Sequence, residues 1–472
     1  VKEIWETTDE HGSTRIRLMP RTLYICYFGV REPLVQTQVL PYLRELGKGG
    51  FTAETQRRGE EVIATTPSAE AAATPPYQGG EPDAGTEGGE VFVPIEVSLL
   101  TFEPSRAAGD IEEFERIRAE LRAEGIEWDW LPYHKRPSAV ATAWDIFRGA
   151  FYIWRRIGRF DVLHGRVHVP TLMGALARKF SLRKPRLLFD IRGFFPEEYT
   201  DAGIWPEGGL LYRGAKRVER WLMKEADAFV VLTEKAREIL FPESKETGYD
   251  RHGRPVEVIP CCVDLEKRFA GDRKVLRQTY REKLGIHGRK VFVHIGALGG
   301  LYLTREMAEM LAAFRERDPS VFALFLTQSD QKLIEAELQA RGFDTTDYFV
   351  GRARPEEIEG YLCASDFGLS FVKATFATAS RSPTKIPEYL ACGLPLLANA
   401  GVGDVDLLIK TYDVGAMIEN FDSESYTAAF DKIEGLGDIL VHCREVAEKE
   451  FDLRSVGGKR YRQVYSRIFL EN

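Results

Sequence analysis

Cysteine is scarce in this chain, with 6 in 472 residues and no CxxC pair. That excludes a disulfide-stapled scaffold, offers no zinc-site spacing, and points to a reducing, cytoplasmic compartment. Long apolar runs are also missing: no stretch approaches the roughly 18 uninterrupted apolar residues that a membrane-spanning helix needs. Val1 to Gly12 carries acids and no apolar core, which argues against a secretory or transit segment. Positive charge is in deficit, 64 Lys and Arg against 72 Asp and Glu, for a formal charge of −8. A protein that grips nucleic acid by neutralising phosphates carries the opposite balance, so no nucleic-acid partner is expected. With 44% hydrophobic and 29% charged residues, the chain is long enough for two or three globular domains.

The negative charge is concentrated. Between Phe51 and Glu96 stand nine acids and two bases, and Thr65–Glu90 holds nine Gly or Pro residues with one aromatic, Tyr77. Such a stretch buries too little apolar area to offset its ordering entropy, so a flexible insertion is expected over 51–96.

Elsewhere, short apolar runs alternate with amphipathic segments. Strands are expected at Thr22–Phe28, Val97–Phe102, Ile126–Leu131, Asp161–His164, Arg186–Ile191, Ala228–Leu232 and Val256–Ile259. A second series follows at Lys290–Ile295, Val321–Leu326, Tyr348–Val350, Phe367–Phe371, Pro395–Ala398 and Gly415–Ile418. Continuous apolar strands separated by helices imply parallel sheets covered on both faces. Two series imply two doubly wound α/β domains, with a hinge near Ile259–Asp264 and ligands bound in the cleft outside the strands' carboxyl ends.

The segment ASRSPTKIPEYLACGLP, 379–395, follows one such strand and opens a helix. Ser382 suits the N-cap and Pro383 the first helical position. The free amides there form an anion site, and Arg381, Thr384 and Lys385 beside it suit a diphosphate. Glu388, one turn on, suits two vicinal ribose hydroxyls. An ordinary capped helix with a Lys385–Glu388 surface pair fits the same residues. Gly296, Gly299 and Gly300, after the second series' first strand, would let a phosphate or sugar approach the backbone, although a plain tight turn fits as well. In the first domain, Asp190 and Arg192 stand at one strand end, where charge needs a partner or a ligand, and an internal ion pair is the alternative. His164 and Arg166 lie at another strand end, and Gly29 in a third loop that suits either acceptor or donor. His164 and His168 show no zinc spacing.

The segments SPTKIPEYLACGLP, IPCCVD and FDIRGFFPEE together resemble the retaining glycosyltransferases of family 4, with the GT-B architecture of two facing Rossmann-like domains. The resemblance implies sugar transfer from a nucleotide-sugar donor held mainly by the C-terminal domain. It also implies a last helix, near Leu453–Phe469, that crosses back to the first domain. The division is then an extension at 1–20, an acceptor domain at 21–265, a nucleotide-sugar domain at 286–452 and the returning helix at 453–472. Ser380 stands where the family commonly has the first acid of Glu-x7-Glu, Glu388 being the second. Ala297 follows Gly296 where many members have Arg, and Arg192 replaces a common histidine, so Arg381 and Lys385 take over the phosphate.

The expected activity is hexosyl transfer with retention, with Asp190, Arg192, Arg381 and Lys385 at the reacting centre and neither metal nor cofactor. The acceptor is a glycan, a lipid or a small molecule, met on the Gly29, His164 and Arg166 side, and a cytoplasmic protein of this kind has room for peripheral contact with the inner membrane face. The alternatives are a nucleotide-sugar-binding protein without catalysis, or an epimerase or sugar phosphorylase on the same fold.

Overall fold

The computed structural model describes residues 5–8, 14–17, 19–48, 95–104, 109–134 and 138–470. The insertion expected over 51–96 therefore lies, as far as residue 94, outside the described residues. Near the start, β1 (Trp5–Thr8) and β2 (Thr14–Arg17) pair antiparallel. Seven parallel strands follow: β3 (Arg21–Ile25), β4 (Glu96–Glu103), β5 (Ile126–Pro132), β6 (Val162–Arg166), β7 (Arg186–Ile191), β8 (Ala228–Val231) and β9 (Val256–Val258), in the order β5-β4-β3-β6-β7-β8-β9. A second parallel sheet holds β10 (Lys290–Ile295), β11 (Val321–Leu326), β12 (Tyr348–Gly351), β13 (Phe367–Ser370), β14 (Leu396–Asn399) and β15 (Gly415–Ile418), in the order β12-β11-β10-β13-β14-β15.

Helices cover both faces of each sheet, which is why the strands read as unbroken apolar runs. β11 is buried at every position, and β7 at all but its first. In both sheets the strand order reverses beside the first strand, between β3 and β6 and between β10 and β13. At such a switch point the connections leave in opposite directions and open a crevice at the carboxyl ends.

Several strand ends differ from the sequence expectation by a residue or more, and two of the differences bear on the site. β3 stops at Ile25 and leaves Cys26–Gly29 as loop, whereas β6 runs two residues past His164 to Arg166. His164 and Arg166 thus belong to the sheet interior rather than to a strand-end loop.

The chain leaves the first sheet through Ile259–Asp264 and returns through Phe451–Leu453. The crossings run side by side, with Val263 N donating to Phe451 O at 2.9 Å and Leu453 N to Val263 O at 3.0 Å. A π turn, Leu453–Gly458, leads into the last helix, Lys459–Leu470. Its Tyr461, Val464, Tyr465 and Ile468 are buried in one core with Tyr24, Leu99, Leu188 and Val230 of the first sheet. The polar ends of the two tyrosines are satisfied, as burial requires. The Tyr465 hydroxyl meets Thr22 Oγ1 and His164 Nδ1, each at 2.9 Å, and the Tyr461 hydroxyl donates to Asp190 Oδ2 at 2.9 Å.

Candidate functional site

The second sheet's switch point is built by two loops. After β10, Gly296 has φ +115°, a conformation that strains any L side chain, and a Cβ there would lie 3.6 Å from Lys385 Nζ. The glycine turn is pinned by hydroxyls: Ser329 Oγ accepts from Leu298 N at 3.1 Å and Thr304 Oγ1 from Gly299 N at 3.0 Å. After β13 the chain runs through a short 3-10 turn, Ala377–Ser380, into the helix Lys385–Ala391. Tyr389 of that helix ties it to both strands, accepting from Ile295 N at 3.0 Å and donating to Leu369 O at 3.1 Å.

Lys385 is buried, and its Nζ has no hydrogen-bond partner among the described residues. It lies 4.9 Å from the centre of the Tyr302 ring. Burial pushes its pKa down to about 7, only partly opposed by Glu388. The Lys385–Glu388 surface pair considered above is not what forms. Glu388 Oε1 instead accepts from Arg268 Nη1 at 3.1 Å, and burial raises the Glu388 pKa against the pull of Arg268. Beside Gly296 opens a cavity of about 390 Å³, lined among others by Ala297, Thr327, Gln328, Ser329 and Ile358.

Ser382 does not cap this helix. The helix opens at Lys385 after Thr384, which is exposed and makes no side-chain cap bond, and Ser382 Oγ accepts from Cys261 N at 3.0 Å. The buried amide of the domain crossing needs an acceptor, and that need outweighs the local preference for capping. Ser380 is likewise engaged: its Oγ accepts from Phe194 N at 3.1 Å and donates to Ala377 O at 2.7 Å. Asp404 closes the seam from the second domain, accepting from Glu234 N at 2.6 Å and Lys235 N at 3.2 Å. Arg381 reaches across it, its Nε 3.3 Å from Glu198 Oε1.

The first sheet treats its charges differently. Asp190 is fully buried; Arg192 Nε lies 2.9 Å from its carboxylate, His164 Nε2 3.5 Å and Arg166 Nη1 3.8 Å. Burial by itself would raise the Asp190 pKa, but Arg192, His164 and Arg166 hold it well below the usual carboxylate range. Arg192 also donates to the Tyr461 hydroxyl, and Arg166 to the Tyr24 hydroxyl at 3.2 Å and Gln38 O at 3.3 Å. Asp190 and Arg192 therefore form the internal pair, while Arg192 Nη1 and Arg166 Nε are buried without a hydrogen-bond partner among the described residues. His164 and Arg166, expected on the acceptor side, sit inside the same network because β6 continues past them and the last helix covers them.

Gly29 does end the β3 loop, but what needs a glycine there is Glu103, whose Oε2 would lie 2.6 Å from a Cβ. Glu103 Oε1 accepts from Val30 N at 2.7 Å. Val167, between β6 and its helix, has φ +65°, a rare and strained conformation for a β-branched residue, at the first sheet's switch point.

Sequence reasoning missed Glu198, Tyr302 and the Thr327–Ser329 triplet. The triplet had a readable sign, three polar residues directly after the all-apolar β11 run. Among the described residues, no group of three His, Cys, Asp or Glu is placed to hold a metal ion.

Comparison with known proteins adds the family. The model of Glycosyltransferase Family 4 matches residues 94–267. The fold is GT-B, and over that span the sequence is similar to glycosyltransferase family 4. Solved structures agree along nearly the whole chain. HepE of Anabaena, in complex with UDP and glucose, is 14% identical with a TM-score of 0.59, covering 95% of this chain and 99% of its own. A glycosyltransferase from Rickettsia africae ESF-5 is 14% identical with a TM-score of 0.58, covering 96% and 100%. Sucrose-phosphate synthase from Thermosynechococcus elongatus is 14% identical with a TM-score of 0.57, covering 95% and 99%. At these identities the likeness is one of GT-B fold. No curated protein matches the sequence.

Proposed function

We propose that this GT-B chain transfers a sugar, with retention, from a nucleoside-diphosphate sugar to a glycan, lipid or small-molecule acceptor. The observation that carries the reading is Lys385: a buried cation without a partner among the described residues, facing the glycine turn at the switch point. A charge so placed is costly unless an anion joins it. The diphosphate lies against Lys385 and the Ala297 and Gly300 amides, the Gly296, Leu298 and Gly299 amides being held by Leu326 O, Ser329 Oγ and Thr304 Oγ1, with Arg381 beside it. The ribose hydroxyls meet Glu388, and the base enters the cavity of about 390 Å³. HepE, solved with UDP and glucose, supports a uridine nucleotide as the first probe.

When the bond from sugar to diphosphate breaks, negative charge grows on the leaving phosphate. The approach of that charge raises the Lys385 pKa and keeps the ammonium protonated where it is needed. An attractive pair at about 4 Å and an effective dielectric near 20 contributes on the order of 4 kcal/mol before desolvation. Preorganised cations and amide dipoles therefore stabilise the leaving group without a metal ion in this scheme.

Ser380 favours a second reading, a nucleotide-sugar-binding protein that does not catalyse transfer, because its hydroxyl is committed to Phe194 and Ala377. Incubation with UDP-glucose and a membrane-and-glycan extract separates the two. Release of UDP by the native chain and not by Lys385→Met is the expected result. UDP binding with no release of UDP from any donor tried would leave the binding protein.

A further inference from the structure

The helix Ser138–Arg156 turns its inner residues Ala141, Asp145 and Ile153 into the first domain, where Gly149 passes so close to Met173 that a Cβ would lie 2.5 Å from its sulfur. Its outer face is the anomaly. Val140, Trp144, Phe147, Phe151 and Trp154, spaced three or four apart, are all exposed, Phe147 to 61%. Four of the rings form a ladder, with centroids 5.9, 6.4 and 5.9 Å apart from Trp144 through Phe147 and Phe151 to Trp154. Phe180, 75% exposed, and Leu182 extend the patch, Trp154 Nε1 donating to Phe180 O at 2.9 Å. An apolar groove of about 380 Å³ runs along the ladder. Soluble monomers rarely expose contiguous apolar surface on this scale without a use for it.

The charge around the ladder is predominantly positive, although the exposed Asp129 accepts from the Tyr152 hydroxyl of the same helix. Residues 138–186 hold ten Lys or Arg and two Asp or Glu, in a chain whose net charge is −8; of the ten, Arg166 is buried with Asp190, and Arg178 and Arg186 pair with Asp227. Both acids of this span are withdrawn from the surface. Asp145 is fully buried, accepting from the Tyr27 hydroxyl at 2.8 Å and His134 N at 2.9 Å. Asp161 is held by Arg183 and Arg21. Arg155 and Arg156 lie over the Phe151 and Tyr152 rings, at 5.7 and 3.9 Å from the ring centres.

An aromatic row with an arginine rim is the composition of a helix that lies in a membrane interface, rings at headgroup depth and guanidinium groups on anionic headgroups. We propose that the outer face of Ser138–Arg156, with Phe180 and Leu182, docks the protein on an anionic lipid bilayer. The predominantly cationic rim, with Arg148, Arg155, Arg156 and Arg159, selects an anionic surface, and a second copy of this chain would bring like charges together. Asp145, through Tyr27 and His134, joins the docked helix to loops at the carboxyl ends of β3 and β5. This edge of the first domain would thus rest at the headgroup layer.

The test is sedimentation of the full chain with vesicles of phosphatidylcholine alone and of phosphatidylcholine mixed with phosphatidylglycerol. The expected result is pelleting with the mixed vesicles, little with the neutral ones, and release by high salt. Trp144→Ser, Phe147→Ser and Phe151→Ser combined should cut binding by about tenfold or more, and Arg148→Gln, Arg155→Gln, Arg156→Gln and Arg159→Gln combined should abolish the anionic preference. UDP affinity should stay unchanged in both variants, which shows that they are folded and separates this proposal from the sugar-transfer reading. Equal pelleting of native and ladder-variant chains, or none of the native chain, would overturn it. So would a native dimer that fails to pellet and becomes monomeric in the ladder variant, which would make the face an interface between copies.

Discussion

The two switch points are built on one topology and treat charge in opposite ways. At the first, Asp190, Arg192, Arg166 and His164 neutralise one another beneath a helix that returns from the far end of the chain. At the second, Lys385 is also buried yet lacks a hydrogen-bond partner among the described residues, and it faces a glycine turn that leaves room for one. A buried charge is tolerable when the fold supplies its counterion or when a ligand will. The first arrangement holds the molecule together, and the second, on the proposed reading, is a place for an anion.

The largest effect that would break this comparison comes from the returning helix. Each of Tyr461, Val464, Tyr465 and Ile468 contributes about 1.5–3 kcal/mol by burial, an upper range of ~6–12 kcal/mol against a typical total stability of ~5–15 kcal/mol. Deleting residues 453–472 should leave the first domain without a cooperative unfolding transition, measured by circular dichroism. A transition at the native midpoint would remove the helix from that core.

Paired substitutions sharpen the contrast, because only one of them should cost stability. Asp190→Ala leaves Arg192 and Arg166 buried without their counterion and should cost about 3–5 kcal/mol in urea unfolding. Lys385→Met removes a charge that burial penalises, so stability should hold or rise. If both substitutions destabilised the chain alike, Lys385 would be a structural charge too.

The pH dependence gives a third, smaller effect. The Lys385 pKa is about 7 when folded, against an ordinary value of 10.5. Between those values the unfolded chain holds a proton that the folded chain has lost, so this group makes stability rise with pH across that window, by a slope absent in Lys385→Met. UDP should act in the other sense, since a phosphate restores the proton. Its affinity should fall above pH ~7, by at most about tenfold per pH unit. A flat affinity profile would detach Lys385 from the phosphate.

The smallest effect concerns Ser382. Its hydroxyl serves Cys261 in the domain crossing, so Ser382→Ala should cost about 0.5–1.5 kcal/mol of stability and leave UDP affinity unchanged. Weaker UDP binding at unchanged stability would return Ser382 to the anion site.

The fold was legible because parallel strands covered on both faces leave an unbroken apolar signature, and β10, β11 and β15 match their expected limits residue for residue. Lys385 was legible as a cation beside a helix start. What pairs with what was not legible, because the partner lies far along the chain: Glu388 meets Arg268, Arg381 meets Glu198, and Ser382 meets Cys261. His164 was misread for a related reason. Two further residues of β6 and a helix from 300 positions away decide its burial, and neither leaves a mark in the sequence around it. Local spacing names candidate charges, and tertiary pairing decides which of them remain for a ligand.

The central claim is that Lys385 is a diphosphate cation without a protein counterion. Calorimetric titration of UDP and of uridine into the native chain and Lys385→Met tests it most directly. The account predicts that Lys385→Met loses about 1.5–3 kcal/mol of UDP affinity, the strength of a hydrogen bond to a charged group, while uridine binds both chains equally. Equal UDP affinity in the two chains would contradict it.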